Sequence, residues 1–171
     1  MTPGYFQGLA CYNRWANASL YDAVAALPTE EHDKPRPGAY FGSLLGTLNH
    51  ILIGDRLWLR RFEGEGPEPQ SLDEWAFETL ESLRQAREAE DARLLAFTEG
   101  LTEEMLAGSL SYRTMISPAE VTTPYALTLG HVFNHQTHHR GQAHALLKEA
   151  GAEPPPLDLV YFLRENPDIP H

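Results

Sequence analysis

The chain has 171 residues and a formal net charge of −11, and we expect a single domain over residues 1–171 with a core of its own. The acidic balance argues against a nucleic-acid partner, because phosphate contacts need clustered basic residues and the largest cluster is Arg56, Arg60 and Arg61. No apolar run is long enough to span a bilayer, and the first residues do not resemble a signal peptide. The single cysteine, Cys11, excludes an internal disulfide, so we predict a cytoplasmic protein.

Three long helices are predicted in the first hundred residues. The first begins with Thr2-Pro3 and ends before Pro28, and the second covers about 43–62 after a loop rich in proline and glycine. Ser71 and Glu74 have the spacing of a capping box and predict the start of a charged third helix that ends near residue 98.

The remainder of the chain is predicted to hold the fourth long helix. Residues 100–123 are less regular, and a weak alternation there (Leu110, Tyr112, Thr114, Ile116) suggests a short strand or hairpin. Thr123-Pro124 opens the last long helix, Gly151 ends it, and Asp158 begins a further short helix. Long helices without convincing strand pairs predict an all-α fold, a four-helix bundle with a short extra C-terminal helix.

Four of the eight histidines lie within nine residues of the last long helix, at His131, His135, His138 and His139. In a helix, residues four apart share a face, so 131/135 and 135/139 are both pairs that could clamp one metal ion. Spacing alone leaves the choice between these two pairs open. The histidine strip borders the apolar stripe of the helix, where a bundle builds its ligand sites.

Two imidazoles rarely suffice for a metal site, and His50 is the only histidine inside another predicted long helix. It lies on a narrow apolar strip with Gly46, Ile53 and Leu57, away from a broad apolar face. That broad face contains Leu44, Leu45, Leu48, Ile51, Leu52, Trp58, Leu59 and Phe62. A helix that is apolar on two sides is either buried in the bundle or shared with a partner subunit. The second arrangement would let the narrow strip face the metal pocket while the broad face forms a homodimer interface.

Three segments carry a resemblance to the DinB/YfiT-like family of metal-binding helical bundles. They are YNRWANASLYDAVAALP, SLLGTLNHILIGDRLWLRRF and HVFNHQTHHRGQAHALLKEAGAEPPPLDLVYFLRE. The resemblance implies an up-down-down-up bundle, usually dimeric, with one divalent metal ion per chain held by three histidines. Carried onto this sequence, the ligands are His50, His135 and His139. Some members of the family are transferases or isomerases that depend on low-molecular-weight thiols.

Such a site has defined chemical possibilities. Three protein ligands leave a coordination position open, and neutral imidazoles leave the ion its full charge, so a bound water has its pKa lowered to roughly 7. A bound thiol is deprotonated more readily still. Imidazole suits zinc, nickel and iron, so the ligands do not name the metal. Gln136 stands where the helical metalloprotease motif needs a glutamate, which excludes that class.

We therefore predict a metal-dependent enzyme that acts on a small molecule, by thiol S-transfer first and hydrolysis second. His131 is the candidate catalytic residue, and Gln142 could orient a ligand. The alternative is a non-catalytic metal-binding or stress-response protein whose metal ion only ties two helices together. An open position beside a substrate-sized pocket would favour the enzyme.

Three other polar side chains have weaker assignments. His144 falls on the far side of the last helix and is expected to be solvated. His138 is either a pocket wall or an exposed residue. Asp55 lies on the broad apolar face, where an unpaired carboxylate is costly, and is expected to pair with Arg14, Arg56 or Arg140.

Overall fold

The computed structural model describes residues 1–115, 117 and 119–171. In chain order its elements are α1 (Pro3–Ala25), a 3-10 turn (Thr29–Glu31), α2 (Leu44–Glu63), α3 (Leu80–Glu99), α4 (Glu103–Ala107), β1 (Ser109–Arg113), β2 (Glu120–Pro124), α5 (Tyr125–Glu149) and α6 (Leu159–Glu165). Ile116, part of the predicted alternation, lies outside the described residues. Among the described residues, no helix combines the length and the apolar character needed to cross a membrane.

Side-chain caps fix the starts of α1 and α2 where the sequence predicts them. The hydroxyl of Thr2 accepts a hydrogen bond from the Tyr5 amide (3.1 Å), and that of Ser43 accepts one from the Gly46 amide (3.0 Å). α2 ends at Glu63, and the next residue, Gly64, has a φ of 79°, a left-handed conformation that favours glycine. These local signals are read directly from the sequence.

α1 and α3 are antiparallel neighbours. Arg84, near the start of α3, donates to Asp22 near the end of α1 (2.5 Å). At the other end of the pair, the Gln7 side-chain amide donates to the carbonyl of Thr98 (3.3 Å).

α2 and α5 are also antiparallel neighbours. The His50 ring near the start of α2 faces His135, whereas Trp58, further along α2, packs against His131 (ring centroids 5.1 Å apart), which lies nearer the start of α5. The narrow strip of α2 that contains His50 therefore faces the histidine strip of α5.

α2 and α3 run parallel, since Asp55 pairs with Arg87 (2.7 Å) and Glu63 pairs with Arg93 (2.6 Å) in the same order along both helices. Together with the two antiparallel pairs, this gives the up-down-down-up order, and the predicted four-helix bundle is confirmed. A parallel pair obliges the chain to return along the length of α2, about 30 Å for a helix of this size. Residues 64–79 make this return and pass His50.

The predicted start of the third helix at Ser71 is wrong. α3 begins at Leu80, and its cap is Thr79, whose hydroxyl accepts a hydrogen bond from the Ser82 amide (3.2 Å). The Ser71 hydroxyl instead accepts from the Asp73 amide (3.1 Å) in a local turn. The physical reason is the topology: residues 71–79 are needed for the return path, so the local capping preference does not propagate a helix.

The weak alternation after residue 108 corresponds to strand β1, so a short hairpin is confirmed. β1 pairs antiparallel with β2 from Ser109 opposite Pro124 to Arg113 opposite Glu120. The Tyr112 ring reaches back to Trp58 of α2 (5.2 Å between centroids). The hairpin therefore covers the end of α2 that lies away from His50.

The broad apolar face of α2 lies inside the bundle. Six of its residues are no more than 2% exposed: Leu44, Leu45, Leu48, Ile51, Leu52 and Leu59. Of the two predicted alternatives, burial in the bundle is confirmed, and a dimer interface through this face is wrong, because other helices of the same chain already cover it. Dimerisation through another surface stays a prediction.

Candidate metal centre

Three histidines from two helices converge on one point. His50 comes from α2, and His135 and His139 come from successive turns of α5; one ring nitrogen of each lies within 4.8 Å of the others. The Nε2 atoms of His50 and His135 are 3.2 Å apart. Two nitrogens bound tetrahedrally to zinc at about 2.05 Å would be separated by roughly 3.3 Å, so this pair already has a suitable spacing. The group could hold a metal ion.

Gly54 allows α2 to approach the His135 ring. It lies one turn after His50, and a Cβ atom built there would be 2.6 Å from Cε1 of His135 and 3.1 Å from its Nδ1. A glycine in a helix interior costs about 1 kcal/mol relative to alanine, so its presence on this face is an unused sequence signal of close approach.

Two hydrogen bonds fix the orientation of the His50 and His139 rings. His50 Nδ1 donates to the carbonyl oxygen of Leu72 (3.0 Å), and His139 Nδ1 donates to the side-chain oxygen of Gln142 (2.8 Å). Because Nδ1 carries the proton in both rings, the Nε2 lone pairs are free for a metal ion. Gln142 therefore has the contact expected of an orienting residue. The Leu72 carbonyl is a backbone atom on the return path, and no feature of the sequence pointed to it.

The electrostatics of the cluster favour neutral rings. Burial lowers the pKa of His50 and also that of His139. Burial, together with the neighbouring imidazoles, lowers the pKa of His135 to about 3. At neutral pH the three rings therefore keep the uncharged form that coordinates metals.

An accessible cavity adjoins His50, one member of the cluster. Phe41 stacks on the His50 ring (3.8 Å between centroids, planes 16° apart) and meets His139 edge-on at 5.4 Å. A cavity of about 320 Å³ opens beside His50, with Tyr40 and Trp75 among its walls. His50 is thus reached from outside rather than sealed within the core.

The structure places His131 beside this cluster but outside it. Its ring is one turn before His135 on α5, with 5.9 Å between the centroids, and it packs edge-on against Trp58. Burial and the charge of Arg61 lower the pKa of His131. It is therefore neutral at neutral pH and able to accept a proton.

The other two histidines of α5 differ in their surroundings. His138 is exposed and its Nε2 accepts a hydrogen bond from the side-chain amide of Gln142 (3.3 Å). The prediction that His144 is solvated is wrong. It is partly buried, and its Nε2 donates to the carbonyl of Pro155 (3.1 Å), because the C-terminal segment folds back over that side of α5.

Asp55 belongs to a buried ion pair directly behind the histidines. It accepts a hydrogen bond from Arg87 of α3 (2.7 Å), and both side chains are no more than 2% exposed. The predicted pairing with Arg14, Arg56 or Arg140 is wrong, because Asp55 faces α3 at the level of Arg87. Burial raises the pKa of Asp55 to about 6, against the opposing charge of Arg87.

Gln136 links this ion pair to the helix that contains the histidines. Its side-chain amide donates to Asp55, and its oxygen accepts from Arg140 (3.1 Å), which also donates to Asn17 (3.3 Å). Gln136 is fully buried and is the neighbour of His135 in sequence. The glutamine that excluded a metalloprotease motif thus has a structural position between α2 and α5.

Comparison with known proteins gives a consistent family. Residues 3–169 match the family model described as the DinB family. The chain is 30% identical over 159 residues to "Protein DinB" of Bacillus subtilis (strain 168), which covers 89% of this chain and 90% of that one. A crystal structure of a DinB-like protein from Bacillus cereus ATCC 10987 aligns with a TM-score of 0.59 at 20% identity, over 83% of this chain and 90% of that one. The last comparison supports the fold alone.

Proposed function

Because this chain belongs to the DinB family, we propose that it is a metalloprotein in which His50, His135 and His139 hold one divalent ion. The observation that carries the proposal is the convergence of three ring nitrogens within 4.8 Å, two of them with a fixed tautomer. Zinc, nickel and iron(II) all accept such a ligand set.

The three imidazole rings suit a metal ion in their protonation state as well as in the spacing of their nitrogens. Three lowered pKa values mean that no proton must be displaced at neutral pH for the rings to bind. Among the described residues, the convergent group contains no carboxylate. Asp55 is engaged by Arg87 and Gln136, and Asp73 is close enough to oppose the lowering of the His50 pKa but is not part of the group. The bound ion would therefore keep its full positive charge.

We infer further that the protein is an enzyme acting on a small molecule, with S-transfer from a low-molecular-weight thiol first and hydrolysis second. A divalent ion with three imidazole ligands supplies Lewis acidity and lowers the pKa of a thiol or water bound to it. The cavity beside His50 has room for a small molecule, which favours this function over a purely structural ion. His131 is the candidate acceptor of the proton released because it lies one turn from His135, although burial and Arg61 lower its pKa and make it a weaker base than a free imidazole.

The experiment that tests metal binding is elemental analysis of the purified full-length protein after reconstitution with zinc. The wild type should contain one ion per chain, and both His50→Ala and His139→Ala should lose it. His138→Ala is the matched control, because His138 is adjacent in sequence but exposed and outside the convergent group. A wild type without metal, or equal metal in all four proteins, would contradict the proposal.

A further inference from the structure

A second cavity lies at the opposite end of α2 from His50. It has a volume of about 430 Å³, between the last turns of α2 and the hairpin, and three arginines are among its walls: Arg60, Arg61 and Arg113. Arg60 pairs with Glu68 (2.9 Å). In the part of the chain that the structure describes, Arg61 and Arg113 have no carboxylate as an ion-pair partner. Glu120 lies opposite Arg113 in the hairpin without forming an ion pair with it, which leaves Arg61 as the uncompensated cation at this cavity, in a chain with a net charge of −11.

Arg61 is held in a defined orientation. Its guanidinium lies over the Trp58 ring (4.5 Å to the centroid) and the Tyr112 ring (4.7 Å). Its Nη2 donates to the carbonyl of Arg113 (3.2 Å). Among the described residues the Nε and Nη1 groups have no hydrogen-bond acceptor, so these donors are available at the cavity. A guanidinium that is already held in one orientation loses little side-chain entropy when it binds an anion.

Burial supports the same interpretation. Partial burial lowers the pKa of Arg61, which means that the charged form has lost part of its hydration without gaining an ion-pair partner. A guanidinium nonetheless stays protonated at neutral pH. An oxyanion that enters the cavity would replace the missing hydration with charge-assisted hydrogen bonds.

The cavity is aligned with the histidine cluster. Arg61 follows His50 by eleven residues, which in an ideal helix returns to within about 20° of the same face and advances about 16 Å along the axis. Between the two, Leu57 lines the arginine cavity and Trp58 packs on His131. The two cavities share no described lining residue, so a molecule that contacts both ends would pass over the Trp58 and His131 rings.

We propose that Arg61 and Arg113 form an oxyanion-binding site for a carboxylate or phosphate group of a small molecule. The site holds the far end of a molecule whose reactive group reaches the histidine cluster about 16 Å away. This second step rests on the proposed metal function, whereas oxyanion binding does not. The small number of basic residues fits one anionic group rather than a nucleic-acid backbone.

The test uses full-length, metal-free protein labelled with ¹⁵N at the tryptophan indoles, of which there are three. Inorganic phosphate and succinate are titrated separately at constant ionic strength, and comparison with Trp58→Phe assigns the Trp58 resonance. Because Trp58 contacts Arg61, its resonance should shift and saturate with at least one of the two anions. The anion with the tighter binding identifies phosphate or carboxylate as the preferred group.

Variants show whether the arginines are responsible. Arg61→Gln and Arg113→Gln should each weaken binding at least tenfold, and Arg61→Lys should also weaken it, because lysine keeps the charge but loses the planar fork. Arg84→Gln is the control: Arg84 of α3 pairs with Asp22 of α1 and with Glu88 of α3, so its replacement should leave binding unchanged. If Arg61→Gln disturbs the fold, Arg113→Gln decides, because Arg113 is exposed on the hairpin.

Two results would overturn the site: no saturable shift with either anion, or unchanged affinity in both Arg61→Gln and Arg113→Gln. Metal content measured on separate samples of the same proteins, after reconstitution with zinc, separates this proposal from the preceding one. Both arginine variants should keep the wild-type metal content, because they are far from the cluster. If the protein binds the anion but no metal, the oxyanion site stands, and only the proposal that one molecule reaches both the arginines and the histidine cluster is refuted.

Discussion

Replacing Gly54 by alanine would separate metal affinity from fold stability. The added Cβ would lie 2.6 Å from Cε1 of His135, whereas nonbonded carbon atoms prefer about 3.5–4.0 Å. The neighbouring atom belongs to a ring, and the backbone of α2 is fixed by its burial. The His135 ring must therefore move by about 1 Å, away from the position in which its Nε2 is 3.2 Å from that of His50.

Gly54→Ala should lower metal affinity while leaving the stability of the metal-free fold nearly unchanged. Alanine in place of a helical glycine contributes about 1 kcal/mol of stability, which offsets the cost of moving one partly buried ring. Metal affinity has no such compensation. We expect a loss of about 10- to 100-fold in zinc affinity, the range typical of losing a contact that orients a metal-binding histidine.

The assay is competition for zinc against a chromogenic chelator, with urea unfolding of the metal-free protein measured in parallel. Gly130→Ala is the matched control, because Gly130 is also inside a helix but an added Cβ there meets nothing within 4 Å. It should gain about 1 kcal/mol and bind zinc like the wild type. Wild-type zinc affinity in Gly54→Ala would refute the idea that this glycine positions His135.

Three further outcomes follow from the structure. Thr79→Ala should cost about 1 kcal/mol in urea unfolding and Ser71→Ala only a few tenths, because Thr79 is the cap of α3; the reverse order would contradict the observed helix start. Gln142→Ala should lower zinc affinity about tenfold in the chelator assay while the fold is kept, and an unchanged affinity would mean that its bond to His139 does not orient the ligand. The pKa of His135 is about 3 in the folded chain and 6.5 when unperturbed. Below pH 6.5 the unfolded chain therefore binds a proton that the folded chain does not, and stability falls as the pH is lowered. Through this group the free energy of unfolding of the metal-free protein should fall by roughly 2 kcal/mol between pH 7 and pH 5. In His135→Gln the fall should be smaller by about the same amount, and an equal fall in both proteins would disprove the lowered pKa of His135.

The sequence predicted those parts of the fold that depend on local interactions. Thr2 and Ser43 cap helices because their hydroxyls reach an amide three residues away, and this depends on nothing outside the turn. Ser71 has the same chemistry, yet no helix begins there. The parallel arrangement of α2 and α3 needs a long connection, and that requirement arises from packing between helices rather than from the residues themselves. The start of α3 could not be obtained from spacing alone.

The candidate site also has a part that the sequence predicted and a part that it did not. Side-chain donors with helical spacing, at His135 and His139, were visible in the sequence, and the family resemblance selected them together with His50. The backbone contributions were not visible: the Leu72 carbonyl that orients His50 and the close approach of α2 at Gly54 both exist only after the helices pack. Backbone atoms carry no residue-specific pattern, so sequence reasoning is weakest where a site uses them.

The two connections at the ends of α2 surround the histidine cluster, and their sequences can change while the bundle that holds the histidines stays the same. The return path brings Leu72 and Trp75 to the His50 end, and the hairpin brings Tyr112 and Arg113 to the other end. Both are outside the main helices, where changes of sequence cost little core packing. The helices therefore determine which nitrogens converge, whereas the connections determine which molecules reach them. On the proposed function, substrate preference should accordingly be altered by substitutions in residues 64–79 and in the hairpin, and metal affinity by substitutions in α2 and α5.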